Sequence, residues 1–419
     1  MQSDSPKRAF NPIPYGRQHI SQEDIDAVTN VLKSDYLTQG PEIPKFEIAF
    51  ADYVGADYAV AVSNGTAALH LCALALEVNS ESKVITTPIT FSASANCIRY
   101  CGGEVDFADI DPATILINIE KVQDKLESAP KGTYDGILPV DFAGRAVNME
   151  ALCELAEEHG LWIIEDACHA PGGYFIDSKG EKQFCGNGQY ADLAIFSFHP
   201  VKHIAAGEGG MITTNSSKLY QQLLKLRTHG ITKNEIEFSN SLELATGKSQ
   251  DLPEEASAQS GSNLKPHEYP GWYMEMQDLG YNYRLTDFQA ALGRSQLTRA
   301  DEGLKRRRKI AARYTEAFEA KGYIRRQAGV VEGHAYHLYV VEVEDRLGLY
   351  NALRENKIYA QIHYIPVHLM PYYQQFGWKQ GDLPKAERYY TGCISLPMYP
   401  TLTKGEQEFI IECIDDFYG

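Results

Sequence analysis

Short apolar runs alternate with helical patterns over residues 58–211. In chain order the apolar runs are YAVAVS, KVITTP, EVDFADI, DGILPVDF, LWIIED, LAIFSF and GMITTN. Between several of them stand stretches with apolar residues at helical spacing, such as NGTAALHLCALAL, SASANCIRYCG and NMEALCELAEEHG. Strands that alternate with helices are typical of crossover units. The pattern therefore predicts an α/β fold, in which helices cover both faces of a mostly parallel sheet.

The rest of the chain predicts a loop, a long helix and a smaller domain. Residues 233–271 are polar and rich in Ser, Glu, Gly and Pro, so we expect a long loop or insertion there. The stretch YNYRLTDFQAALGRSQL predicts a loop that enters a helix at an N-cap, Thr286. A long charged helix is expected over 297–321. We therefore expect an N-terminal arm and a large domain in 1–297, and the linking helix with a small C-terminal α+β domain in 298–419.

Composition and charge narrow the function classes. The 419 residues are 44% apolar and 23% charged, as in ordinary globular proteins. A net charge of −17 argues against general attraction to nucleic acid or anionic membranes, although local basic groups can still bind a small anion. No run of eighteen apolar residues occurs. The N-terminal MQSDSPKRAFNPIPYG lacks an apolar signal core, so we expect a loose lead-in arm and a cytoplasmic protein.

The eight cysteines are scattered along the chain without a CxxC pair. Several stand inside apolar helical or strand patterns, where a free cysteine packs as a small hydrophobic residue. We therefore expect buried thiols in a reducing compartment rather than a disulfide framework.

A lysine that follows one predicted strand is the first candidate catalytic residue. In AIFSFHPVKHIAAGEGG, Lys202 follows the apolar run, and almost nothing bulky stands behind it. A lysine past a strand end is by default a solvated charge, but a solvated lysine needs no small residues behind it. Residues at other strand ends decide the question, because ligands of such sheets bind at the carboxyl ends of the strands.

Carboxylates follow the strand in LWIIEDACHAPGG. Glu165, Asp166 and His169 come at its carboxyl end. A carboxylate there can ligate a metal, cap a helix, or hold the protonated ring nitrogen of a pyridine cofactor. A metal would need more ligands at regular spacing than His169 alone, so no metal site is predicted. Helix capping would leave the nearby lysine unexplained.

Two further strand ends are followed by a candidate phosphate-binding turn and by an aromatic residue. In VSNGTAALHL a strand stops at SNGT and a helix begins at once, where free amides and the helix dipole favour a phosphate. The turn is neither a GxGxxG turn nor a nucleoside-triphosphate loop, and Asn-Gly-Thr also occurs for capping alone. In TTPITFSASANC, Phe91 either packs in the core or stacks on a planar ring.

Together these features describe the site of a phosphorylated pyridine aldehyde. The helix start would hold the phosphate, and Asp166 would keep the ring nitrogen protonated so that the ring accepts electrons. Phe91 would stack on one face of the ring. Lys202 would supply the amine for a covalent link and, once displaced, a base for the substrate proton. The small residues at 205–210 would let the backbone crowd under the ring.

The combination of SFHPVKHIAAGEGG, EDACHA and GYNYRLTDFQAALG resembles the DegT/DnrJ/StrS family of sugar aminotransferases. The likeness runs from PYGRQHISQEDIDAV near the start of the chain to LPMYPTLT near its end. It implies a fold type I enzyme that uses pyridoxal 5′-phosphate (PLP) and forms a homodimer with active sites at the subunit interface. Some family branches replace the lysine by histidine and dehydrate sugars, so Lys202 favours transamination.

The resemblance also implies a role for individual residues. Lys202, Asp166 and His169 match the catalytic positions: the lysine that bonds the cofactor, the partner of its ring nitrogen and a histidine beside it. The implied cofactor-binding set is Gly65, Thr66, Phe91, Asp166, Ser197, Lys202 and Asn282. In that set Asn282 matches an asparagine that reaches the phosphate from the neighbouring subunit. Residues expected to border the sugar nucleotide, with a structural loop nearly as well supported for each, are Thr38, His363, Tyr364 and His368.

Two shorter motifs narrow the substrate class. YAQIHYIPVHLMPYY and RTHGITK resemble the transaminases of the pseudaminic acid pathway. They imply amino transfer from L-glutamate to C4 of a nucleotide-linked 4-keto-6-deoxy sugar, UDP-4-keto-6-deoxy-L-N-acetylhexosamine. A perosamine-type or 3-amino-sugar specificity is the alternative enzyme. A PLP-bound regulatory protein without turnover is the alternative of another class, but the short N-terminal arm offers no DNA-binding extension.

Overall fold

A computed structural model describes residues 11–247, 269–326 and 332–419. The strands are β1 (Ile13–Pro14), β2 (Tyr58–Val62), β3 (Lys83–Thr86), β4 (Glu104–Phe107), β5 (Gly136–Leu138), β6 (Trp162–Asp166), β7 (Tyr174–Ile176), β8 (Lys182–Phe184), β9 (Leu193–Ser197), β10 (Gly210–Thr214), β11 (Ile231–Thr232), β12 (Glu275–Met276), β13 (Ile324–Arg326), β14 (Tyr339–Val343), β15 (Ile358–Tyr359) and β16 (Cys393–Leu396).

The helices pack on and beside these strands. In chain order they are α1 (Gln22–Leu32), α2 (Glu42–Val54), α3 (Gly65–Ala75), α4 (Ala93–Tyr100), α5 (Ile119–Ser128), α6 (Met149–His159), α7 (Ser217–Arg227), α8 (Leu242–Thr246), α9 (Asp287–Leu297), α10 (Ala300–Phe318), α11 (Arg346–Glu355), α12 (Pro371–Gln374), α13 (Pro384–Gly392) and α14 (Lys404–Tyr418).

The largest sheet has the strand order β2-β10-β9-β6-β5-β3-β4. Strands β9, β6, β5, β3 and β4 run parallel, while β10 runs antiparallel to both of its neighbours. Strand β10 follows β9 without a crossover helix, so it returns in the opposite direction. The predicted mostly parallel α/β sheet is confirmed. Its strands are apolar along most of their length because helices bury both faces.

An aromatic cluster supports the strand that precedes Lys202. Phe196 and Phe198 in and after β9 pack against Phe46 and Phe50 of α2, with ring centroids 4.8–5.5 Å apart. All four side chains are fully buried. Such aromatic contacts add to the stabilisation that burial of their surface area gives. The end of β9 and the segment after it therefore pack against a well-stabilised part of the core.

The C-terminal part of the chain forms a second core. The antiparallel sheet β13-β14-β16 packs with α10, α11 and α14 around buried residues such as Tyr314, Val341 and Ile394. Strand β1 pairs with β15, and Ile13 is buried in this same core. The lead-in arm is therefore not loose at 13–14, because an apolar side chain and ladder hydrogen bonds hold it there. The domain boundary after residue 297 stays a prediction.

Some predicted elements need correction or refinement. Thr286 is the N-cap of α9, as predicted. The long helix expected over 297–321 is α10, which begins only at Ala300, because the chain turns after α9 and the Thr298 hydroxyl donates to the Ser295 carbonyl. In the expected loop 233–271, the short helix α8 forms on its N-cap Ser241, and residues 248–268 lie outside the described part.

The cysteines form no disulfides, but they are not all buried as predicted. All eight cysteines are free, yet only Cys72, Cys97, Cys185 and Cys393 are buried, while the other four are partly exposed. Among the helices of the described ranges, none combines the length and the apolar character that crossing a membrane requires.

Candidate active site

A cavity of about 860 Å³ opens at the carboxyl ends of the parallel strands. The chain brings most of the sequence-predicted site residues to its wall: Gly65, Thr66, Phe91, Asp166, His169, Ser197, Lys202, His363 and Tyr364. They come from segments that are far apart in sequence. The sheet places them together because parallel strands end at one edge.

The turn between β2 and α3 forms the first wall of the cavity. Asn64 caps the helix by accepting the Ala67 N–H at 2.8 Å, whereas the N–H groups of Gly65 and Thr66 have no partner among the described residues. A Cβ on Gly65 would lie 3.1 Å from Ser197 Cβ, and one on Gly210 would lie 2.6 Å from the Asn64 carbonyl oxygen. The turn is thus close-packed from below, and its free amides point to an anion.

Asp166, the last residue of β6, is 5% exposed and firmly held. Its Oδ2 accepts a hydrogen bond of 2.6 Å from the Ser94 hydroxyl, and its Oδ1 accepts the Cys168 N–H at 3.1 Å. These bonds fix the orientation of a carboxylate at the wall of the cavity, which suits a cationic ring nitrogen.

Lys202 lies half-buried on the wall of the same cavity. Burial lowers the pKa of its ammonium group, while nearby Cys168 and Asp166 act in the opposite direction and Arg307 adds to the lowering. Its Nζ makes no hydrogen bond or ion pair within the described ranges. An amine with a lowered pKa is more often neutral, which is the form that attacks a carbonyl carbon.

His169 is held in one tautomer. Its Nδ1 accepts the Ala143 N–H at 3.2 Å, so the ring proton of the neutral imidazole is on Nε2, 3.3 Å from the Tyr364 hydroxyl. Burial, with the charge of Lys202 as the next cause, keeps the pKa of His169 well below its usual value. The imidazole is therefore a neutral donor at physiological pH.

The prediction that the small residues of 205–210 pass under the cofactor ring is wrong, because these residues do not line the cavity. Ala206 is buried in the aromatic cluster beneath the sheet, Gly209 contacts Phe198, and Gly210 contacts the Asn64–Gly65 backbone. Within 203–210 only Glu208 lines the cavity. The run consists of small residues because it passes between the aromatic cluster around Phe198 and the backbone of the Asn64–Gly65 turn.

Three sequence-predicted residues do not line this cavity. Thr38 forms an isolated bridge with Thr286, and Asn282, which is exposed, forms one with Thr228. His368 is completely buried, with its Nε2 3.0 Å from a Glu387 carboxylate oxygen. His368 therefore holds the 363–368 segment against α13 instead of facing the cavity.

The structure adds residues that the sequence did not single out. Ser94 anchors Asp166, Ala143 sets the tautomer of His169, and Tyr15 and His337 line the cavity. Ser94 lies on the helix face that also carries the buried Cys97 and Ile98. A single hydroxyl on this apolar face was the one sequence signal for its role. The contact of Ala143 is made by its backbone and carries no side-chain signature.

The chain matches a known protein family along most of its length. Residues 18–415 match the model of the DegT/DnrJ/EryC1/StrS aminotransferase family. The chain belongs to this aminotransferase family. The family fold is confirmed, and so is the predicted PLP-dependent aminotransferase, with PLP as the cofactor that members of the family bind.

Individual family members are similar over almost the whole chain. The spore coat polysaccharide biosynthesis protein SpsC of Bacillus subtilis is 37% identical over 413 residues, with 96% of each chain covered. The UDP-4-amino-4,6-dideoxy-N-acetyl-β-L-altrosamine transaminase of Campylobacter jejuni is 32% identical over 405 residues, with 95% of each covered. The solved structure of Helicobacter pylori PseC, an aminotransferase involved in the biosynthesis of pseudoaminic acid, superposes with a TM-score of 0.81 at 27% identity, covering 97% of this chain and 99% of that one.

Proposed function

We propose that this aminotransferase moves the amino group of L-glutamate to C4 of a nucleotide-linked 4-keto-6-deoxy sugar. The observation that carries the proposal is that Lys202, Asp166 and the Gly65–Thr66 amides line one cavity, which has room for a cofactor and a sugar. Each of these groups matches one part of a phosphorylated pyridine aldehyde. A lysine with a lowered pKa, a fixed carboxylate and unpaired helix-start amides would otherwise have no shared purpose.

The residues present fit PLP. Helix α3 has eleven residues, so its dipole and its free Gly65 and Thr66 amides can hold the phosphate. Asp166 would hold the ring nitrogen, and Phe91, 60% exposed at the cavity wall, offers a face for stacking. When bound, PLP supplies an electron sink for the carbanion that forms as the substrate loses a proton.

The chain itself positions the reactants and moves the proton. Lys202 would bond the cofactor aldehyde at rest. Once displaced, its neutral amine would move the proton from the donor's α-carbon to the cofactor's aldehyde carbon, and in the second half-reaction it would move a proton from that carbon to C4 of the sugar. The same side chain serves both half-reactions because it stands at one wall of the cavity. His169 donates from Nε2 into this region without adding charge, and Tyr364, which accepts from His169, has its own proton to donate into the cavity.

The specific substrate that we propose is UDP-4-keto-6-deoxy-L-N-acetylhexosamine. The likeness to the Campylobacter jejuni transaminase supports this choice. His363 and Tyr364, which belong to the motif YAQIHYIPVHLMPYY, also line the cavity. A second candidate is a different nucleotide sugar, of perosamine or 3-amino type. The higher identity to SpsC, a polysaccharide biosynthesis protein, favours keeping this second candidate.

We further propose that the enzyme is a cytoplasmic homodimer with shared active sites. Support for sharing comes from Asn282, which is exposed and does not line the cavity of its own chain. Support for a reducing compartment comes from eight free thiols.

A screen of keto sugars tests the proposal. Protein loaded with PLP is incubated with L-glutamate and 4-keto or 3-keto nucleotide sugars, and products are detected by mass and by the 2-oxoglutarate formed. We expect amine gain on the 4-keto-6-deoxy-L-N-acetylhexosamine, and loss of the activity in Lys202→Ala. Amination of other sugars alone would favour the second candidate, and amination of none would refute both.

A further inference from the structure

Two buried carboxyl groups face each other behind the active site. Asp141, after β5, is 0% exposed, and Glu165, in β6, is 4% exposed. Oxygen atoms of both and the Cys185 sulfur lie within 4.8 Å of one another. Successive side chains of a strand point to opposite faces, so Glu165 lies on the other face of the sheet from its neighbour Asp166. The pair is therefore separate from the cavity described above.

Each carboxyl group has one oxygen with a partner and one without. Asp141 Oδ1 accepts the Val147 N–H at 2.8 Å, and Glu165 Oε2 accepts the Gly186 N–H at 3.0 Å. Asp141 Oδ2 and Glu165 Oε1 are buried and have no hydrogen-bond partner among the described residues. Two ionised carboxylates would repel each other here. The Cys185 thiol, a weak donor, lowers the pKa of Asp141 by hydrogen bonding but leaves Glu165 Oε1 without a donor. One proton between them would supply the missing bond.

The ionisable groups that act on this pair add no positive charge. Cys185 and Asp166 are those groups, besides the pair itself. Burial raises the pKa of Asp141 to about 6, and burial together with the charge of Asp141 raises the pKa of Glu165 well above its usual value. Both shifts favour one protonated carboxyl group in the pair, and its proton would join the two lone oxygens.

The pair joins two segments that carry active-site groups. On one side, Asp141 begins the turn of Ala143, whose N–H sets the tautomer of His169 and whose φ of +61° is a backbone conformation that needs support. On the other side, Glu165 directly precedes Asp166. A hydrogen bond between Asp141 and Glu165 would thus fix the turn against the strand.

We propose that Asp141 and Glu165 share one proton at neutral pH, and that this hydrogen bond positions His169 and Asp166 for the cofactor. Both members of the pair are positioning residues, since neither lines the cavity. The positioning role rests on the proposed function. The shared proton does not, because it is a property of the protein without cofactor or substrate.

Infrared spectroscopy of the protein without cofactor, in D₂O at pH 7, tests the shared proton. The spectrum of the wild type minus that of Glu165→Gln is expected to contain the carbonyl band of a protonated carboxyl group. The control is Glu150→Gln, which removes a carboxylate that accepts from Ser178 near the surface and should remove no such band. Loss of carboxylate bands alone in Glu165→Gln would overturn the proposal. So would about one equivalent of divalent metal that only this variant loses, because the three side chains would then be metal ligands.

Cofactor affinity tests the positioning role. Glu165→Gln keeps a donor for Asp141 and an acceptor for Gly186, whereas Glu165→Met has similar length and keeps neither. We expect the Gln variant to bind PLP within about threefold of the wild type, and the Met variant to bind about tenfold more weakly or worse, as for other residues that orient a binding group. Equal affinities of the Gln and Met variants would overturn the role.

The pH profile separates positioning from general stability. In the wild type, affinity for PLP should fall at alkaline pH once the shared proton leaves and two charges face each other. Glu165→Gln carries no such proton and should keep its affinity there. A profile that falls equally in both would contradict the proposal. If Glu165→Met does not fold, the infrared band and this comparison still decide, and a failed sugar screen would leave both readouts unchanged.

Discussion

The hydroxyl of Ser94 donates a hydrogen bond of 2.6 Å to Asp166 Oδ2, which joins the start of α4 to the end of β6. Ser94 is itself held by Thr90, whose Oγ1 lies 2.8 Å from the Ser94 Oγ. The carboxylate that we propose faces the cofactor ring nitrogen is therefore oriented by the start of a neighbouring helix before any ligand arrives. Such preorganisation lowers the cost of binding.

Removing this hydrogen bond should weaken cofactor binding. A hydrogen bond to a charged group contributes about 1.5–3 kcal/mol, so Ser94→Ala should raise the Kd for PLP about tenfold or more. The measurement is an equilibrium titration followed by cofactor absorbance. Ser128→Ala, which removes only a hydroxyl bonded to the Lys125 carbonyl at a helix end, is the control. An unchanged Kd in Ser94→Ala would show that Asp166 needs no such support.

The turn at Gly65, which we propose holds the phosphate, should not tolerate a methyl group on Gly210, which packs beneath it. In Gly210→Ala the new Cβ would lie 2.6 Å from the Asn64 carbonyl oxygen, a contact with backbone that cannot rotate away. We expect a loss of about 1–3 kcal/mol in the free energy of unfolding, as in other overpacked cores, and weaker PLP binding. Denaturant unfolding measures the first effect. In Gly322→Ala, where the Cβ meets nothing within 4 Å, both quantities should stay unchanged.

The sequence predicted the parts of the site that stand at strand ends, because parallel strands bring their carboxyl ends to one edge. Lys202, Asp166 and the Gly65 turn could be placed together on that ground alone. The residues that support them could not be predicted, since Ser94 approaches Asp166 from the start of α4 and Ala143 uses only its backbone. His368 had the same polar signature as His363, but its pairing with Glu387 depends on tertiary packing.

Buried imidazoles should make the fold sensitive to acid. Burial lowers the pKa of His334 and His363 to about 3. The unfolded chain binds these protons at a higher pH than the folded one, so stability is complete above about pH 6.5 and falls as the pH drops toward 3. Each imidazole then removes about 1.4 kcal/mol per pH unit below 6.5.

Unfolding of a histidine variant across the pH range isolates one such term. His334→Gln keeps an acceptor for the Tyr336 N–H, which donates to His334 Nδ1 at 2.8 Å. Between pH 6.5 and 4.5, its free energy of unfolding should fall less steeply than that of the wild type, by about 1.4 kcal/mol per pH unit. The half-buried His159, changed to Gln, is the control. Parallel curves for His334→Gln and the wild type would contradict the neutral imidazole.

Mixed dimers test the sharing of active sites. Lys202→Ala and Asn282→Ala are each expected to be nearly inactive. If Asn282 serves the partner's cofactor, a heterodimer of the two variants has one intact site, so random mixing should restore about a quarter of wild-type activity. Activity counted after subunit exchange measures this. No recovery, with exchange shown by a tag, would mean that Asn282 acts within its own chain or not at all.

The central claim is that Lys202 forms the covalent bond to the cofactor. Borohydride reduction of the PLP-loaded protein, followed by digestion and peptide mass mapping, tests it directly. The account predicts that the peptide carrying Lys202 alone gains the reduced cofactor, and that Lys202→Ala gains none on any lysine. Labelling of a different lysine, with the Lys202 peptide unmodified, would contradict it.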